Sequence, residues 1–149
     1  MITFQQEPLY GVSSEIDGLL QEHYAELTLN KDRVKLNPRW SQYKALELVG
    51  AFVVFTARDG EKLVGYSAFF VQHHIHYADL VHAHNDVLFL TKEHRQGTAG
   101  IRLIKFCESQ LKSIGVAKLT FHAKVDTSLI PILRRLGYQL EEVVQGKFL

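Results

Sequence analysis

An apolar strand-like segment, a loop of small residues and an amphipathic helix follow one another directly between Val87 and Ile104. The loop, Arg95 to Gly100, reads Arg-Gln-Gly-Thr-Ala-Gly, and the helical pattern begins at its end. Backbone N–H groups at the start of a helix can converge on phosphate oxygens, and the helix dipole favours negative charge there. Small side chains let the phosphate approach the backbone closely. The pattern therefore predicts a binding site for a ligand that carries a pyrophosphate, with the amides of Gln96 to Ile101 as donors.

Hydrophobic spacing and turn residues predict the remaining elements in the order β-α-α-β-β-β-α-β-α-β-β, a mixed α/β arrangement rather than a regular βαβ repeat. A tight hairpin is expected at Asp59-Gly60, between the second and third strands. The predicted strands cover Ile2–Gln6, 52–57, 63–71, 81–90, 118–123, 139–144 and 147–149. The first predicted helix is capped by Ser13 or Ser14, and the second runs from Asn37 and Pro38 to Gly50. The third runs from the loop to Ile114, and the last is capped by Asp126 and ended by Gly137.

Composition limits the kinds of protein that this chain can be. Its 149 residues are most simply one domain, 1–149, with 46% apolar and 22% charged residues, as in ordinary globular proteins. Lys and Arg exceed Asp and Glu by one, so the charge indicates neither nucleic acid nor an anionic membrane as a partner. Cys107 is the only cysteine, which fits a reducing compartment. The chain shows no signal peptide and no apolar run of membrane-spanning length, so we expect a cytoplasmic protein.

Two further segments accompany the loop: Leu88-Phe89-Leu90 precedes it, and Leu133-Arg134-Arg135-Leu136-Gly137-Tyr138 ends the last predicted helix. Together the three segments resemble the GNAT superfamily of acyl-CoA-dependent N-acyltransferases. The family's phosphate-loop pattern is Gln/Arg-x-x-Gly-x-Gly/Ala, and Thr98 stands here where the first glycine is usual. Asp126 lies where relatives often have a cofactor-contacting Asn. The cofactor-binding residues that the resemblance implies are Leu88, Phe89, Leu90, Arg95, Gln96, Gly97, Thr98, Ala99, Gly100, Ile101 and Asp126.

The resemblance also implies a fold and an activity. The fold is α/β (α+β), with a mixed, mostly antiparallel sheet of six to seven strands, about four helices and splayed central strands. The activity is N-acetyl transfer from acetyl-CoA, without a metal, to a primary amine of a small molecule or peptide. The segment from Thr28 to Trp40 would form one wall of the acceptor site, and a homodimer can form through edge strands or helices. An alternative, motivated by Thr98 and Leu133, is a GNAT-like module that binds CoA with weak or no transfer activity.

Candidates for proton transfer come from the family's usual positions. Relatives often place a Glu or His two or four residues before the pantetheine-pairing segment, and those positions are Asp86 and His84. Strand alternation puts both on one face, and an imidazole titrates near neutral pH, so His84 is the first candidate for the general base and Asp86 the second. The family's usual acid is a Tyr four residues before the closing glycine, where this chain has Leu133. Tyr138, Tyr77, a serine or water can take its place.

A group of histidines offers a different interpretation. Histidines on neighbouring strands can supply imidazole ligands to zinc, which would suit a metal-dependent hydrolase. No cysteine lies nearby and no tight motif such as His-Glu-x-x-His occurs, so we expect no metal site and histidines that line a cleft or a hairpin instead. The residues concerned are His73, His74, His76, His82 and His84.

Overall fold

The computed structural model describes all 149 residues. Its helices and strands are β1 Ile2–Gln6, α1 Leu9–Leu27, α2 Trp40–Leu48, β2 Phe52–Asp59, β3 Lys62–His73, β4 Val81–Leu90, α3 Ala99–Ser113, β5 Lys118–Phe121 and α4 Leu129–Arg135. A single turn of 3-10 helix over Lys92–His94 joins β4 to the loop before α3. None of the helices combines the length and the apolar character needed to cross a membrane.

All five strands form one sheet in the order β1-β2-β3-β4-β5, antiparallel except for the parallel pair β4–β5. Alternate residues of β2 show how helices cover both faces. Phe52 and Val54 pack with residues of α1 and α2, whereas Val53 and Phe55 pack with Leu103 and its neighbours on α3. This arrangement confirms the mixed, mostly antiparallel α+β architecture that the sequence predicts.

A β-bulge interrupts β4 at Asp86. Asn85 and Val87 lie opposite consecutive residues of β3, so Asp86 has no partner in the ladder. The buried Asn85 amide maintains this geometry, because its Nδ2 donates to the carbonyl oxygens of Ala68 at 3.1 Å and Val87 at 2.8 Å. The extra residue turns Val87 towards the α1–α2 face and Leu88 towards the α3 face.

The second half of β4 has a neighbouring strand on one side only. Its parallel pairing with β5 ends where Asn85 lies opposite Phe121, whereas β4 continues to Leu90 beside β3. The splayed central strands are therefore confirmed, and they separate after Asn85, before β4 ends at Leu90. The separation leaves an open gap beside the last residues of β4.

The predicted start of the first helix is wrong. α1 begins at Leu9, several residues before Ser13 and Ser14, and no side chain of its own segment caps it. Instead, the Leu9 N–H donates to both carboxylate oxygens of Glu47 on α2, at 2.8 and 3.0 Å. Because this acceptor lies 38 residues away in the chain, no local pattern announces it.

Two other helices also begin later than predicted. α2 starts at Trp40 rather than at Pro38, because its first turn closes on the carbonyl oxygen of Arg39. α4 starts after Ser128, and Asp126 adopts a left-handed conformation with φ of 61° that turns the chain before the helix. The Asp126 carboxylate is therefore no helix cap.

The sheet has five strands instead of six to seven, since the predicted closing pair over 139–144 and 147–149 is absent. Leu140, Val143 and Val144 are exposed in this segment, so a hairpin here would bury no apolar face. A two-stranded hairpin without a buried face is only marginally stable. The final residues consequently run along the surface without regular structure.

Candidate functional site

A cavity of about 660 Å³ lies between the α1–α2 face of the sheet and the gap beside β4. Its wall combines α1, the segment between α1 and α2, the second half of β4, and the residues that lead into α4. Most of the lining is apolar, as is usual for small-molecule sites. Any chemistry in the cavity therefore depends on the polar groups that interrupt this apolar lining.

Backbone groups of β4 face the open gap. The Val87 carbonyl oxygen points towards β3, where the Ser67 hydroxyl donates to it at 3.1 Å, so the N–H on the other side of that peptide, from Leu88, points away into the gap. The Thr91 N–H donates to Val64 of β3 at 2.9 Å, and the same alternation turns the Leu90 N–H towards the gap. An extended ligand with amide groups can pair with such an edge as an added strand.

The loop after β4 ends in a set of unused donors. The backbone N–H groups of Gln96 to Ile101 donate to no acceptor within the chain. Gly97 has φ of +70°, a conformation that favours glycine, whereas Thr98 has φ of −107°. The turn therefore needs its glycine at Gly97, which explains why a β-branched residue is tolerated at Thr98. Free amides at the start of a 15-residue helix suit an anionic group.

The Arg95 side chain is already occupied by the protein. Its Nε donates to the Leu90 carbonyl oxygen at 2.6 Å, and its guanidinium forms a salt bridge with Glu26 of α1, with Nη2 at 2.8 Å from Oε2. The group also lies over the Phe89 ring, 5.2 Å from its centroid. Arg95 thus ties α1 to the end of β4 at the edge of the cavity and has no free charge to offer a phosphate.

Asp86, the bulge residue, lines the cavity and is half-buried. Its carboxylate Oδ2 accepts a hydrogen bond from the Tyr43 hydroxyl at 3.1 Å. Burial raises the pKa of the Asp86 carboxyl, against the opposing effects of Tyr43 and the nearby His122. Burial and the carboxylate likewise raise the pKa of Tyr43 to about 12, so this phenol keeps its proton. The pair presents a carboxylate that can accept a proton within an apolar wall.

His84 lies on the same side of the sheet but not in the cavity wall. Its Nδ1 is 2.8 Å from the Thr120 hydroxyl, its ring stands 3.9 Å from that of His82, and burial lowers its pKa. His122 of the segment after β5 does line the cavity. No group of three His, Cys, Asp or Glu residues in the molecule is arranged to hold a metal ion, which leaves the hydrolase interpretation without a centre.

His23 and Tyr66 form a polar pair in the cavity that the sequence analysis missed. His23 Nδ1 lies 2.8 Å from the Tyr66 hydroxyl, and the imidazole stacks on Phe89 with centroids 4.8 Å apart. Burial, with help from the charge of Lys124, lowers the pKa of His23 to about 4, so the ring is neutral. The hydroxyl has no other acceptor, so it donates to Nδ1 and the remaining hydrogen is on Nε2. A histidine on the apolar stripe of Leu19, Leu20 and Leu27 was the available signal.

The residues proposed as substitutes for the missing acid lie elsewhere. Leu133 is buried, and the Tyr138 hydroxyl donates to Glu108 at 2.7 Å outside the cavity, where burial and Glu108 raise its pKa. Tyr77 is exposed in the β3–β4 hairpin. Asp126 is exposed and does not line the cavity, whereas its neighbours Thr127 and Ser128 do. Among the protein groups considered, a serine is thus the one that the cavity contains.

Known proteins share this architecture. Residues 18–138 match the model of the Acetyltransferase (GNAT) family. An aminoglycoside acetyltransferase from an uncultured soil metagenomic sample, solved with sisomicin, is 16% identical with a TM-score of 0.76, over 99% of this chain and 95% of that one. Ribosomal-protein-alanine N-acetyltransferase from Brucella melitensis biovar Abortus 2308 is 16% identical with a TM-score of 0.72, over 99% and 98%.

A third solved structure, glucosamine-6-phosphate N-acetyltransferase from Arabidopsis thaliana, is 12% identical with a TM-score of 0.71, over 99% of this chain and 98% of that one. Such identities show a shared fold and no shared acceptor. A comparison with curated protein sequences found no match. Since the family model spans most of the chain, from residue 18 to residue 138, the chain belongs to the GNAT acetyltransferase family.

Proposed function

We propose that this protein transfers an acetyl group from acetyl-CoA to a primary amine. The observation that carries the proposal is the continuity of three features along one cavity. The free N–H groups of Leu88 and Leu90 face the gap, the loop with the free amides of Gln96 to Ile101 reaches the cavity at Gly100, and Asp86 lies at the start of the gap. Their order suits the amide-bearing arm, the pyrophosphate and the thioester of an acyl-CoA.

Each part of the edge has a separate task in this proposal. Acetyl-CoA supplies an acetyl group activated as a thioester. The gap-facing N–H and carbonyl groups of β4 bind the pantetheine amides, and the loop amides bind the pyrophosphate. The Leu88 N–H is the first free donor after the bulge, and it would polarise the thioester carbonyl next to Asp86. Phe89 contributes its ring to the wall, because its backbone is paired with β3.

We assign the general base to Asp86 rather than to His84. An amine that is charged at neutral pH must lose a proton before it attacks, and Asp86 is the carboxylate in the wall with no cation paired to it. His84 has its Nδ1 on Thr120 and lies outside the lining. Its role in this proposal is confined to packing beside β5.

The bonds and protons of the transfer balance without a protein acid. Asp86 accepts one proton from the ammonium, the neutral amine nitrogen bonds to the carbonyl carbon, and the carbon–sulfur bond breaks while the nitrogen releases its second proton to water. The sulfur leaves as a thiolate, which is a stable leaving group because a thiol has a pKa of about 8.5. It takes its proton from water, so Leu133 in the place of the usual Tyr does not prevent turnover.

Turnover is tested by incubating the purified protein with acetyl-CoA and a panel of primary amines while free thiol and acetylated amine are measured together. Equal amounts of the two products, dependent on the amine and the protein, are expected. Thiol release without acetylated amine would be hydrolysis and would contradict the assignment of an amine acceptor.

The second candidate function is a CoA-binding module without transfer activity. It is favoured by one observation: α4 and the turn that follows it offer no tyrosine hydroxyl to the cavity, since Leu133 is apolar and Tyr138 donates to Glu108. Calorimetric titration with CoA distinguishes the two candidates. Tight binding together with no turnover across the panel would favour the module.

A further inference from the structure

The charged groups of the cavity wall are almost all paired within the protein. The ionisable side chains there, apart from histidines and tyrosines, are Glu26, Lys35, Asp86, Arg95 and Lys124. Glu26 and Arg95 neutralise each other in a salt bridge. The ammonium groups of Lys35 and Lys124 donate to the backbone carbonyl oxygens of Lys31 and Leu27. One carboxylate, Asp86, is left without a cationic partner.

A single unpaired carboxylate sets the charge that the cavity accepts. One ammonium group can lie against Asp86, but no second unpaired carboxylate lines the cavity, whose other charged groups are Lys35, Lys124 and the Glu26–Arg95 salt bridge. Burying an unpaired charge in such surroundings is strongly unfavourable. The cavity therefore selects against polyamines and against aminoglycosides such as the sisomicin bound by the soil acetyltransferase.

The surroundings of Asp86 are aromatic. Tyr43, which donates to the carboxylate, has its ring centroid 4.9 Å from that of Phe52 and 6.3 Å from that of Trp40. All three of these rings line the cavity. An amine whose nitrogen lies at Asp86 thus has its next carbon atoms beside aromatic faces, where an apolar or aromatic body gains most from burial and ring contact.

Building on the proposed acetyl transfer, we propose that the acceptor is a primary amine with one positive charge and one apolar body of aromatic size, an arylalkylamine in chemical class. The nitrogen binds at Asp86 and the ring packs against Trp40 and Tyr43. A small alkylamine would reach the same carboxylate without the ring contact. A polycation would lack partners for its further charges.

Trp40 is the only tryptophan in the chain, so its fluorescence reports on this wall without any turnover. Titration of the wild-type protein with phenethylamine should give a saturable change in Trp40 emission. Propylamine, putrescine and sisomicin should need concentrations at least about tenfold higher, since ring contact and the added burial together contribute roughly 1.4 kcal/mol, which corresponds to a factor of ten. Equal or tighter binding of putrescine or sisomicin would overturn the inference.

Turnover gives an independent test with matched amines and variants. Trp40→Ala should lower kcat/KM for phenethylamine about tenfold while changing that for propylamine less than about threefold, because only the former loses a ring contact. Trp40→Phe, which keeps a ring, should retain most of the preference and covers the case in which Trp40→Ala fails to fold. Equal losses for both amines would contradict the ring contact.

The outcomes separate this inference from the proposed function. A fluorescence response to phenethylamine without acetylated product would support the acceptor class and sink acetyl transfer. Efficient acetylation of putrescine or sisomicin in preference to phenethylamine would support acetyl transfer and overturn the acceptor class. If no amine gives either a fluorescence response or an acetylated product, both the acceptor class and the acetyl transfer are overturned.

Discussion

The properties of Asp86 come from its position in the β-bulge, its burial and its hydrogen bond with Tyr43. The bulge of β4 turns it into the cavity, burial raises the pKa of its carboxyl, and Tyr43 holds one of its oxygens. A folded-state pKa above the unfolded value means that ionising Asp86 destabilises the fold as the pH rises through the folded pKa. The carboxylate is therefore unfavourable for stability at neutral pH, as is common for groups retained for function.

Asp86→Asn should consequently separate activity from stability. Its amide keeps the shape and can still accept from Tyr43, but it cannot take a proton, so kcat/KM should fall by about 10²-fold or more. The melting temperature should stay equal or rise, because the ionised group is gone. Thiol-release kinetics and thermal unfolding check the two effects.

His84→Gln is the matched control for that variant, since His84 lies on the same strand outside the cavity wall. It should change kcat/KM less than about threefold, within the range of residues that do not transfer the proton. A large loss with His84→Gln and none with Asp86→Asn would reverse the assignment of the base.

His23 predicts a pH dependence of stability. Unfolded histidine binds a proton below about pH 6.5, whereas folded His23 does so only near its pKa of about 4. The stability that neutral His23 contributes is therefore present at neutral pH and lost as the pH falls through this window, by about 2 kcal/mol after allowance for partial exposure. Urea unfolding at neutral pH and near the folded pKa measures this loss.

Comparison of that loss in the wild type and in His23→Gln isolates this residue from the other histidines. Burial also lowers the pKa of His82 and His84, so the wild type has further contributions in the same direction. His23→Gln should lose about 2 kcal/mol less than the wild type over the same interval. Identical losses in the two proteins would show that His23 is not a buried neutral imidazole.

At the scale of an element, β4 owes its form to an internal amide. Asn85→Leu removes the donor that serves the carbonyl oxygens of Ala68 and Val87 together with the Ser67 hydroxyl. The Val87 carbonyl oxygen would keep the Ser67 hydroxyl as a donor, but the Ala68 carbonyl oxygen would lose the buried amide, which should lower the unfolding free energy by about 1–3 kcal/mol. Activity should fall as well, because the bulge turns Asp86 into the cavity. Chemical denaturation and thiol release measure both, and unchanged values for both would contradict this role of Asn85.

The loop after β4 contains two glycines with different needs. Gly97 has a positive φ with open space around it, so Gly97→Ala should destabilise the protein by about 1–2 kcal/mol through backbone strain alone. Gly100 lies in the first turn of α3 with an ordinary φ, so Gly100→Ala should be neutral or stabilising by roughly 0.5–1 kcal/mol.

The binding of CoA should respond to both substitutions, although their effects on stability differ. Both are expected to bind CoA more weakly in calorimetric titration, Gly97→Ala by distorting the turn and Gly100→Ala by placing a methyl group in the cavity lining. A Gly100→Ala protein that is more stable and binds CoA unchanged would contradict the placement of the pyrophosphate at this helix start.

Elements with a local signal were predictable from the sequence, and those that depend on distant residues were not. The hairpin at Asp59-Gly60 and the helix end at Gly115 follow from glycine turns, and both are confirmed by positive φ values at the glycines. The start of α1 depends on Glu47, and the bulge depends on a buried amide facing β3, so neither has a pattern in its own segment.

The candidate site shows the same division. Strand alternation placed His84 and Asp86 on one face, but it could not tell which of them reaches the cavity, because that depends on where α2 brings Tyr43. His23 went unnoticed since its partner Tyr66 lies 43 residues away, on another element. The loop's free backbone amides, which involve no distant residue, were the feature of the candidate site that the sequence indicated most directly.

In the molecule as a whole, the cavity exists because the pairing of β4 with β5 ends early, while α1 and α2 cover one face of the sheet. A salt bridge between Arg95 and Glu26 connects α1 to the end of β4. A hydrogen bond from the Lys124 ammonium to the Leu27 carbonyl oxygen connects the segment after β5 to the end of α1. These two interactions connect α1 to both sides of the gap. In the function that we propose, an acyl-CoA completes the sheet at this gap.

Hydrogen exchange of individual amides, measured by NMR with and without CoA, shows whether CoA pairs with β4. The Leu88 and Leu90 N–H groups face the gap, whereas the Phe89 N–H is directed towards β3. CoA should slow exchange at Leu88 and Leu90 and leave the already protected Phe89 unchanged. Binding of CoA, established by calorimetry, with no added protection at Leu88 and Leu90 would contradict the account.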